Sequence, residues 1–319
     1  MNLTANSLTI LDAGAKFGIH PSNRLFLKYA THHLIDADAE EISHLTSLYK
    51  DHPNVLCHQA FLDSHKRQLT YNLYRHPGGH SAYQPDPSNL YWSELRPGTG
   101  DIIARKIVDT DSIDEYTHQR NIRVDFLKID VEGHEAAVLR GALITLQNVF
   151  GVRVEVMLNS MYKGLAPTFP EVDIILRESG FVFLNFDKFF SNSFIPYSDF
   201  HSSEIYGQLN GCDGIWVRDP VDFLAKANVL DCVKYSLFCL ENNAEDLAMR
   251  VLLNFCASHG PLTQIDSDLI LLIEARIARL LFSLRDMPRY ESAFLKDAFE
   301  TLFNKPWCKP GEFYRSYPL

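Results

Sequence analysis

Short apolar, β-rich runs alternate with helical patterns along the first two thirds of this chain, and this alternation constrains its fold most. The predicted strands are Leu8–Leu11, His33–Ile35, Asn54–Gln59, Gln68–Tyr74, Val124–Ile129, Val152–Met157, Phe181–Phe186 and Gly214–Val217. Helical spacing recurs between them at Gly133–Asn148 and at Pro170–Ser179, which stops at Gly180, a common helix terminator. This order of elements predicts a parallel sheet with helices on both faces.

Two stretches depart from this alternation. The segment His76–Gly100 is rich in proline, glycine and aromatic residues and reads equally well as a lid over a site or as an ordinary surface excursion. After residue 220, the last 100 residues contain only two glycines and no clear strand pattern. We therefore expect an α/β domain at 1–219 and an all-helical domain at 220–319. The helical domain is expected to recognise substrate, to act as a lid or to join two copies of the chain as a homodimer.

Charge and composition exclude several classes of protein. Thirty Lys and Arg residues against forty Asp and Glu residues leave a net charge of −10. An acidic chain without a basic block is a poor candidate for binding nucleic acid or an anionic membrane. The six cysteines form no Cys-x-x-Cys pair, and the N-terminus does not resemble a signal peptide. The most apolar stretch, Leu269–Leu284, contains charged residues, so we expect a soluble, cytoplasmic protein.

A glycine turn follows the first predicted strand, and an acidic residue follows the second. The turn contains Gly14 and Gly18 but lacks both the Walker sequence and the complete Gly-x-Gly-x-x-Gly fingerprint. Asp36 lies 22 residues after Gly14, a spacing typical of a carboxylate that accepts hydrogen bonds from ribose hydroxyls. Chain reversal or helix capping would explain either feature alone. Together they favour a nucleoside ligand.

The densest motif is Asp125–Ala142, in which an apolar strand ends in ionisable residues and a helix follows. Asp130, Glu132, His134 and Glu135 fall within six residues. In open α/β sheets, ligands bind beyond the carboxyl ends of the strands. Acidic residues near a helix N-terminus also stabilise the helix dipole. Four ionisable groups exceed what capping requires, so this motif indicates a functional site.

This motif resembles the signature of the FkbM-type family of S-adenosylmethionine-dependent methyltransferases, a Lys-Ile-Asp-Val-Glu-Gly-x-Glu run followed by a Val-Leu-x-Gly-Ala helix. Asp12–Gly18 is similar to the family's first motif, and Asp36–Asp38 to the acidic end of its second strand. The resemblance covers about residues 8–218 and leaves out the C-terminal 100. Lys16 stands where the family usually has asparagine.

The resemblance implies a Rossmann-like, seven-stranded, mostly parallel sheet of the class I methyltransferase type, with S-adenosyl-L-methionine as cofactor and S-adenosyl-L-homocysteine as product. Asp36 would hold the ribose hydroxyls, and Asp130 would lie near the sulfonium or amino group. The remaining cofactor-binding residues implied are Asp12, Gly14, Ala15 and Gly18 for the methionine moiety, and Gln59 and Ala60 for the adenine.

Methyl transfer requires alignment of the acceptor with the methyl group, and a hydroxyl acceptor benefits from a general base. The candidate bases are Glu132, His134 and Glu155, and no metal site is predicted. We expect a small-molecule acceptor, a hydroxyl of a sugar or secondary metabolite. N-methylation of an amide or amine of a peptide is the alternative. Two other classes stay open, a nicotinamide-dependent oxidoreductase, which Asp36 also fits, and an inactive binding scaffold, which Lys16 suggests.

Overall fold

The computed structural model describes residues 8–89, 91–92, 97–164, 166–192, 208–260, 267–284 and 292–304. Contacts divide the chain into two compact units, and the division falls between Asp219 and Pro220. The strands described all belong to the first unit. They are β1 (Leu8–Ala13), β2 (Ala30–Asp36), β3 (Val55–Gln59), β4 (Phe61–Leu62), β5 (Gln68–Tyr74), β6 (Ile102–Asp111), β7 (Phe126–Ile129), β8 (Gly151–Met157), β9 (Phe181–Asn192) and β10 (Gln208–Arg218).

The α-helices described fall into two groups, one in each unit. The first unit contains α1 (Ala39–Leu48), α2 (Ile113–Arg120), α3 (Glu135–Arg140) and α4 (Phe169–Glu178). The second unit contains α5 (Pro220–Leu224), α6 (Val229–Glu241), α7 (Glu245–His259), α8 (Ser267–Leu284) and α9 (Ser292–Phe303). The predicted C-terminal helices are therefore present. Among the helices described, none is long and apolar enough to cross a membrane.

Seven strands form the main sheet in the order β3-β2-β1-β7-β8-β10-β9. The pairs from β3 to β8 are parallel, and β10 runs antiparallel to both of its neighbours. The predicted seven-stranded, mostly parallel sheet is confirmed. Because the parallel strands run in the same direction, the carboxyl ends of β1, β2, β7 and β8 meet along one edge.

The two faces of this sheet differ in chemistry. Side chains alternate along each strand, so Leu11, Leu127 and Val154 lie on one face, within an apolar core that α3 and α4 also enter. The opposite face carries Asp12 and Lys128, which are register partners. It also carries Arg153, the register partner of Lys128 on β8, and two residues further along that strand it carries Glu155. Ionisable residues thus cross the middle of the sheet on one face.

The helix predicted at Gly133–Asn148 is shorter than the sequence pattern indicates, and no α-helix directly follows the glycine turn. The glycine turn after β1 leads into a 3₁₀ turn at Pro21–Phe26 rather than an α-helix, since Gly18 has a positive φ of 92° and proline follows shortly after. The pattern at Gly133–Asn148 forms only the short helix α3 and a later 3₁₀ turn. α3 ends at Gly141, where a Cβ atom would lie 2.1 Å from the carbonyl oxygen of Asp63. This close approach between backbones requires glycine and interrupts the helix.

The predicted strand Gln68–Tyr74 does not join the main sheet. It pairs antiparallel with β6, and β6 pairs in turn with the short strand β4. We call the β5–β6 pair, with the described residues between its strands, the ribbon. The Ser81 hydroxyl donates a hydrogen bond to the carbonyl oxygen of Glu132 at 2.6 Å. This bond ties the ribbon to the acidic loop after β7.

Candidate active site

A buried ion pair forms the floor of the candidate site at the ends of β1 and β7. Lys128 Nζ lies 3.0 Å from Asp12 Oδ1 and 3.3 Å from Asp130 Oδ2. Burial raises the pKa of Asp12 to about 6, although the Lys128 ammonium opposes the shift. Burial acts to lower the pKa of Lys128, but the charges of both aspartates outweigh it and raise that pKa. Asp12 Oδ2 is buried and has no hydrogen-bond partner among the described residues.

The Gly14 turn holds three strand ends together. Gly14 has a φ of +81°, and a Cβ atom there would lie 1.7 Å from the carbonyl oxygen of Asp130. The N–H groups of Gly14 and Ala15 both donate to the carbonyl oxygen of Ile35, at 2.8 and 3.0 Å. Only glycine combines this backbone conformation with this close approach. The turn therefore brings the ends of β1, β2 and β7 to one point.

A cavity of about 120 Å³ lies over these strand ends. Five of the predicted site residues line it, namely Gly14, Asp36, Ala60, Asp130 and Glu132. Asp36 is 8% exposed, and its Oδ1 accepts a hydrogen bond from the N–H of Asp38 at 2.8 Å. Burial raises the pKa of Asp36 in spite of this hydrogen bond. A buried carboxylate at the end of β2 therefore faces the cavity.

Four predicted cofactor-binding residues do not line this cavity. Asp12 lies beneath it in the ion pair with Lys128. Ala15 is fully buried, and Gly18 packs against the Tyr49 side chain. Gln59 is exposed, and its Nε2 donates to the carbonyl oxygen of Ala37 at 3.3 Å. Of the two residues assigned to adenine, Ala60 is thus the one that reaches the cavity wall.

The ribbon supplies a roof to the cavity that the sequence motifs did not indicate. Tyr71, Pro77, Gly78 and His80 line the cavity from this side. Lys16 Nζ donates a hydrogen bond to the carbonyl oxygen of Pro77 at 2.7 Å, and both residues line the cavity. The proline and glycine content of the segment His76–Gly100 was the one signal of a covering role. The start of that segment, at Pro77, Gly78 and His80, therefore lies against the cavity.

Three carboxylates converge beside the cavity at the ends of β7 and β8. Oxygen atoms of Asp130, Glu132 and Glu155 all lie within 4.8 Å of one another, a ligand set that suits a hard divalent cation. Glu155 Oε2 is buried and has no hydrogen-bond partner among the described residues. Burial, reinforced by the charge of Asp130, raises the pKa values of Glu132 and Glu155 well above the usual range. These two carboxyls therefore hold protons more tightly than ordinary glutamates.

His134, the third predicted base, lies in a different environment. Its Nε2 is 3.2 Å from Asp63 Oδ1, and both side chains are buried. Asp63 also accepts hydrogen bonds from Arg67 Nε and from the N–H of Ser64, each at 2.6 Å. Although burial acts to raise it, the pKa of Asp63 is lowered by the His134 and Arg67 interactions. His134 does not line the cavity, and the structure does not bring it to the three carboxylates.

Beside Glu155, a second ion-pair network crosses the sheet on β8. Arg153 Nη1 lies 2.6 Å from Asp213 Oδ2 and 3.0 Å from Asp187 Oδ2. Arg153 is 4% exposed. This network, like the buried Lys128, escaped the sequence prediction because its members come from three strands that lie far apart along the chain. In this network a guanidinium lies between two carboxylates, whereas the three converging groups at the ends of β7 and β8 are all acidic.

The chain matches one protein-family model and is similar to a solved structure. A model of the methyltransferase FkbM domain matches residues 12–183, which is more than half of the chain and includes every predicted site residue. Among solved structures, the chain is similar to Sp1610 of Streptococcus pneumoniae, a candidate tRNA (m1A22) methyltransferase. The two share 9% sequence identity with a TM-score of 0.34, over 93% of this chain and 91% of that chain. No curated protein sequence matches the chain.

Proposed function

The chain belongs to the FkbM family of methyltransferases, and from this premise we propose that it moves the methyl group of S-adenosylmethionine to a hydroxyl group of a small-molecule acceptor. The acceptor class we propose is a sugar or secondary metabolite. The observation that carries the proposal is the excess of carboxylates over cations at the carboxyl edge of the sheet. Asp12 and Asp130 flank the Lys128 ammonium there, and oxygen atoms of Asp130, Glu132 and Glu155 converge. The Lys16 ammonium, which also lines the cavity, lies 3.8 Å from the Asp38 carboxylate.

Such an excess of acidic groups fits a cationic cofactor, because a bound cation stabilises their ionised forms. S-adenosylmethionine supplies an electrophilic methyl group on a positively charged sulfonium, next to an ammonium group. Asp12 has a buried oxygen without a partner among the described residues, and Asp130 lines the cavity above it. Asp36, at the end of the neighbouring strand, would accept hydrogen bonds from the ribose hydroxyls. Gly14, whose turn holds these strand ends together, also lines the cavity.

The acceptor hydroxyl must lose its proton as it attacks, and Glu155 is our candidate base. Its Oε2 is buried and free of competing hydrogen bonds within the described part of the chain. Because burial and the charge of Asp130 raise its pKa, its carboxylate is a stronger base than an exposed glutamate. Glu132, whose pKa is raised in the same way, is the second candidate. His134 is engaged with Asp63 and would support α3 rather than the acceptor.

Calorimetry of the full-length protein tests the proposal. We expect S-adenosylmethionine and S-adenosylhomocysteine to bind, and NAD not to bind. Because both adenosyl ligands carry the same ribose, Asp36→Ala should weaken both by about tenfold, the loss of hydrogen bonds to a charged group. The matched control is Asp51→Ala, which removes an exposed carboxylate from the turn after α1. Failure of both adenosyl ligands to bind, or binding of NAD in their place, would overturn the proposal.

A further inference from the structure

Two aromatic side chains of the ribbon, Tyr71 and His80, line the cavity above the strand ends. Their rings lie 6.1 Å apart between centroids, edge to face. The Tyr71 ring also lies 5.0 Å from that of Phe61, which begins β4 shortly after the end of β3. Phe61 and Leu62 line the same cavity. Aromatic rings therefore lie along the part of the cavity next to the end of β3, and such a wall suits a flat, ring-shaped group.

The two ring nitrogens of His80 have different roles. Nδ1 accepts a hydrogen bond from the N–H of Tyr74 at 3.0 Å. A nitrogen that accepts a hydrogen bond carries no proton, so the neutral ring has its proton on Nε2. Burial lowers the pKa of His80, and the charge of Lys16 acts in the same direction, so the neutral form predominates at pH 7. Nε2 forms no hydrogen bond within the described part of the chain, so His80 has an N–H donor available to a ligand.

Hydrogen bonds on either side hold His80 in this position. The bond from Tyr74 fixes the ring against β5, since rotation of the ring would leave a backbone N–H without its acceptor. The next residue, Ser81, exchanges backbone hydrogen bonds with Asn72 at 2.9 and 3.2 Å. The Ser81 hydroxyl donates to the carbonyl oxygen of Glu132, which also lines the cavity. The donor on Nε2 is therefore preorganised before a ligand binds, which lowers the entropic cost of binding.

The proposed cofactor would place its base beside this donor. A cofactor with its sulfonium near Asp130, at the end of β7, and its ribose at Asp36, at the end of β2, runs along the sheet edge toward β3. Its adenine then lies next to the end of β3, where Tyr71 and His80 line the cavity. The ring nitrogens N1, N3 and N7 of adenine accept hydrogen bonds, whereas its amino group donates them. A neutral histidine that can only donate from Nε2 therefore matches a ring nitrogen.

We propose that His80 is a specificity residue of the cofactor site, which donates a hydrogen bond from Nε2 to a ring nitrogen of the adenine while Tyr71 packs against the base. This inference rests on the proposed function, since it concerns the same cofactor. It assigns part of the base recognition to the ribbon, which none of the sequence motifs includes.

Calorimetry of the full-length protein with S-adenosylhomocysteine and its 1-deaza, 3-deaza and 7-deaza analogues tests this inference. Each analogue replaces one ring nitrogen by C–H, which cannot accept the hydrogen bond. We expect one analogue to bind the wild type about fivefold more weakly than the parent compound, the loss of one neutral hydrogen bond, and its identity shows which nitrogen is bound. His80→Phe keeps an aromatic ring without the donor, so it should weaken the parent compound about fivefold and bind that analogue and the parent equally well.

The matched control is His76→Phe, which changes an exposed histidine of the ribbon that does not line the cavity. It should leave the affinities for all four compounds unchanged. Long-range ¹H–¹⁵N spectra of the free protein give a second readout, in which the His80 proton should be on Nε2. A proton on Nδ1, no preference for the parent compound, or a preference that survives in His80→Phe would refute the role of His80 alone. Failure of the wild type to bind S-adenosylhomocysteine would overturn the proposed function as well.

Discussion

Arg153 and Glu155 are two residues apart on β8 and share one face of the sheet, yet their surroundings are opposite. Arg153 lies between two aspartates, with Asp213 at 2.6 Å and Asp187 at 3.0 Å. Glu155 has a buried oxygen without a partner in the described structure, and its charged neighbours Asp130 and Glu132 are also acidic. A buried charge with partners is part of the fold. A buried charge without them must take up a proton or a ligand, and it therefore marks the site.

The largest effect on stability should follow from removal of the Arg153 guanidinium. Arg153→Met keeps the length of the side chain but removes the cation between Asp187 and Asp213. We expect the free energy of unfolding to fall by about 3 kcal/mol, because the two carboxylates lose the guanidinium that lies between them. Urea unfolding followed by circular dichroism measures this loss. A change below about 1 kcal/mol would contradict the structural role of the pair.

Substitution of Glu155 should lower activity without lowering stability, in contrast to substitution of Arg153. Glu155→Gln preserves shape and removes the base, so methyl transfer to the wild-type acceptor should fall about 100-fold or more. The unfolding free energy should not fall, since no partner is lost. Single-turnover measurements of methyl transfer and urea unfolding on the same preparation test both halves of this expectation. A stable variant with full activity would show that Glu155 is not the base.

The same variant has a pH signature. The pKa of Glu155 is higher in the folded than in the unfolded state. Its protonated form therefore favours folding below the unfolded pKa of about 4.3, and this contribution is lost as the pH rises through the folded pKa. Relative to the wild type, Glu155→Gln should gain stability as the pH is raised from about 5 to 8. A stability difference that does not change with pH would contradict the raised pKa.

His134 sharpens the comparison because it is a predicted base whose Nε2 lies 3.2 Å from Asp63 Oδ1, outside the cavity lining. His134→Gln should lower the unfolding free energy by about 1 kcal/mol, a modest loss since Asp63 keeps Arg67 and the N–H of Ser64. Methyl transfer should stay within about twofold of the wild type. Parallel rate and unfolding measurements distinguish the two roles. A rate loss as large as that of Glu155→Gln would show that His134 takes part in methyl transfer.

The smallest effect concerns the proton on Asp12. With a pKa of about 6, this carboxyl is half-protonated near pH 6 in the free protein. A cationic ligand bound above Asp12 favours the carboxylate, so binding of S-adenosylmethionine at that pH should release about half a proton. Calorimetry in buffers of different ionisation enthalpy measures the number of protons released on binding. Asp12→Asn should abolish this proton release. If the wild type releases no proton, Asp12 does not respond to the bound cofactor.

The sequence was sufficient for the sheet and for part of its carboxyl edge. Apolar runs that end at Asp12, Asp36 and Asp130 encode strand and strand end together, so alternation alone brings these residues to one edge. The helix interrupted at Gly141 was not predictable from periodicity. What interrupts it is a backbone contact with Asp63, a residue 78 positions earlier.

The pairing of charges could not be predicted from the sequence either. Nothing in the local pattern distinguishes Arg153 from Glu155, because their partners lie on other strands. The same holds for His134, whose partner Asp63 precedes it by 71 residues, and for the roof that Lys16 holds through Pro77. Motifs therefore indicated which residues are chemically capable, and tertiary pairing separated the structural ones from those left for a ligand.

The most direct test of this account compares one cofactor with its uncharged product. S-adenosylmethionine carries a sulfonium where S-adenosylhomocysteine has a neutral sulfur, and Asp130 is the cavity-lining carboxylate expected near it. Calorimetry of the wild type and Asp130→Asn with both ligands should show about a tenfold loss for the sulfonium compound and less than about threefold for the product. Equal losses for the two ligands, or none, would contradict the claim that the carboxylates at the sheet edge recognise the cationic cofactor.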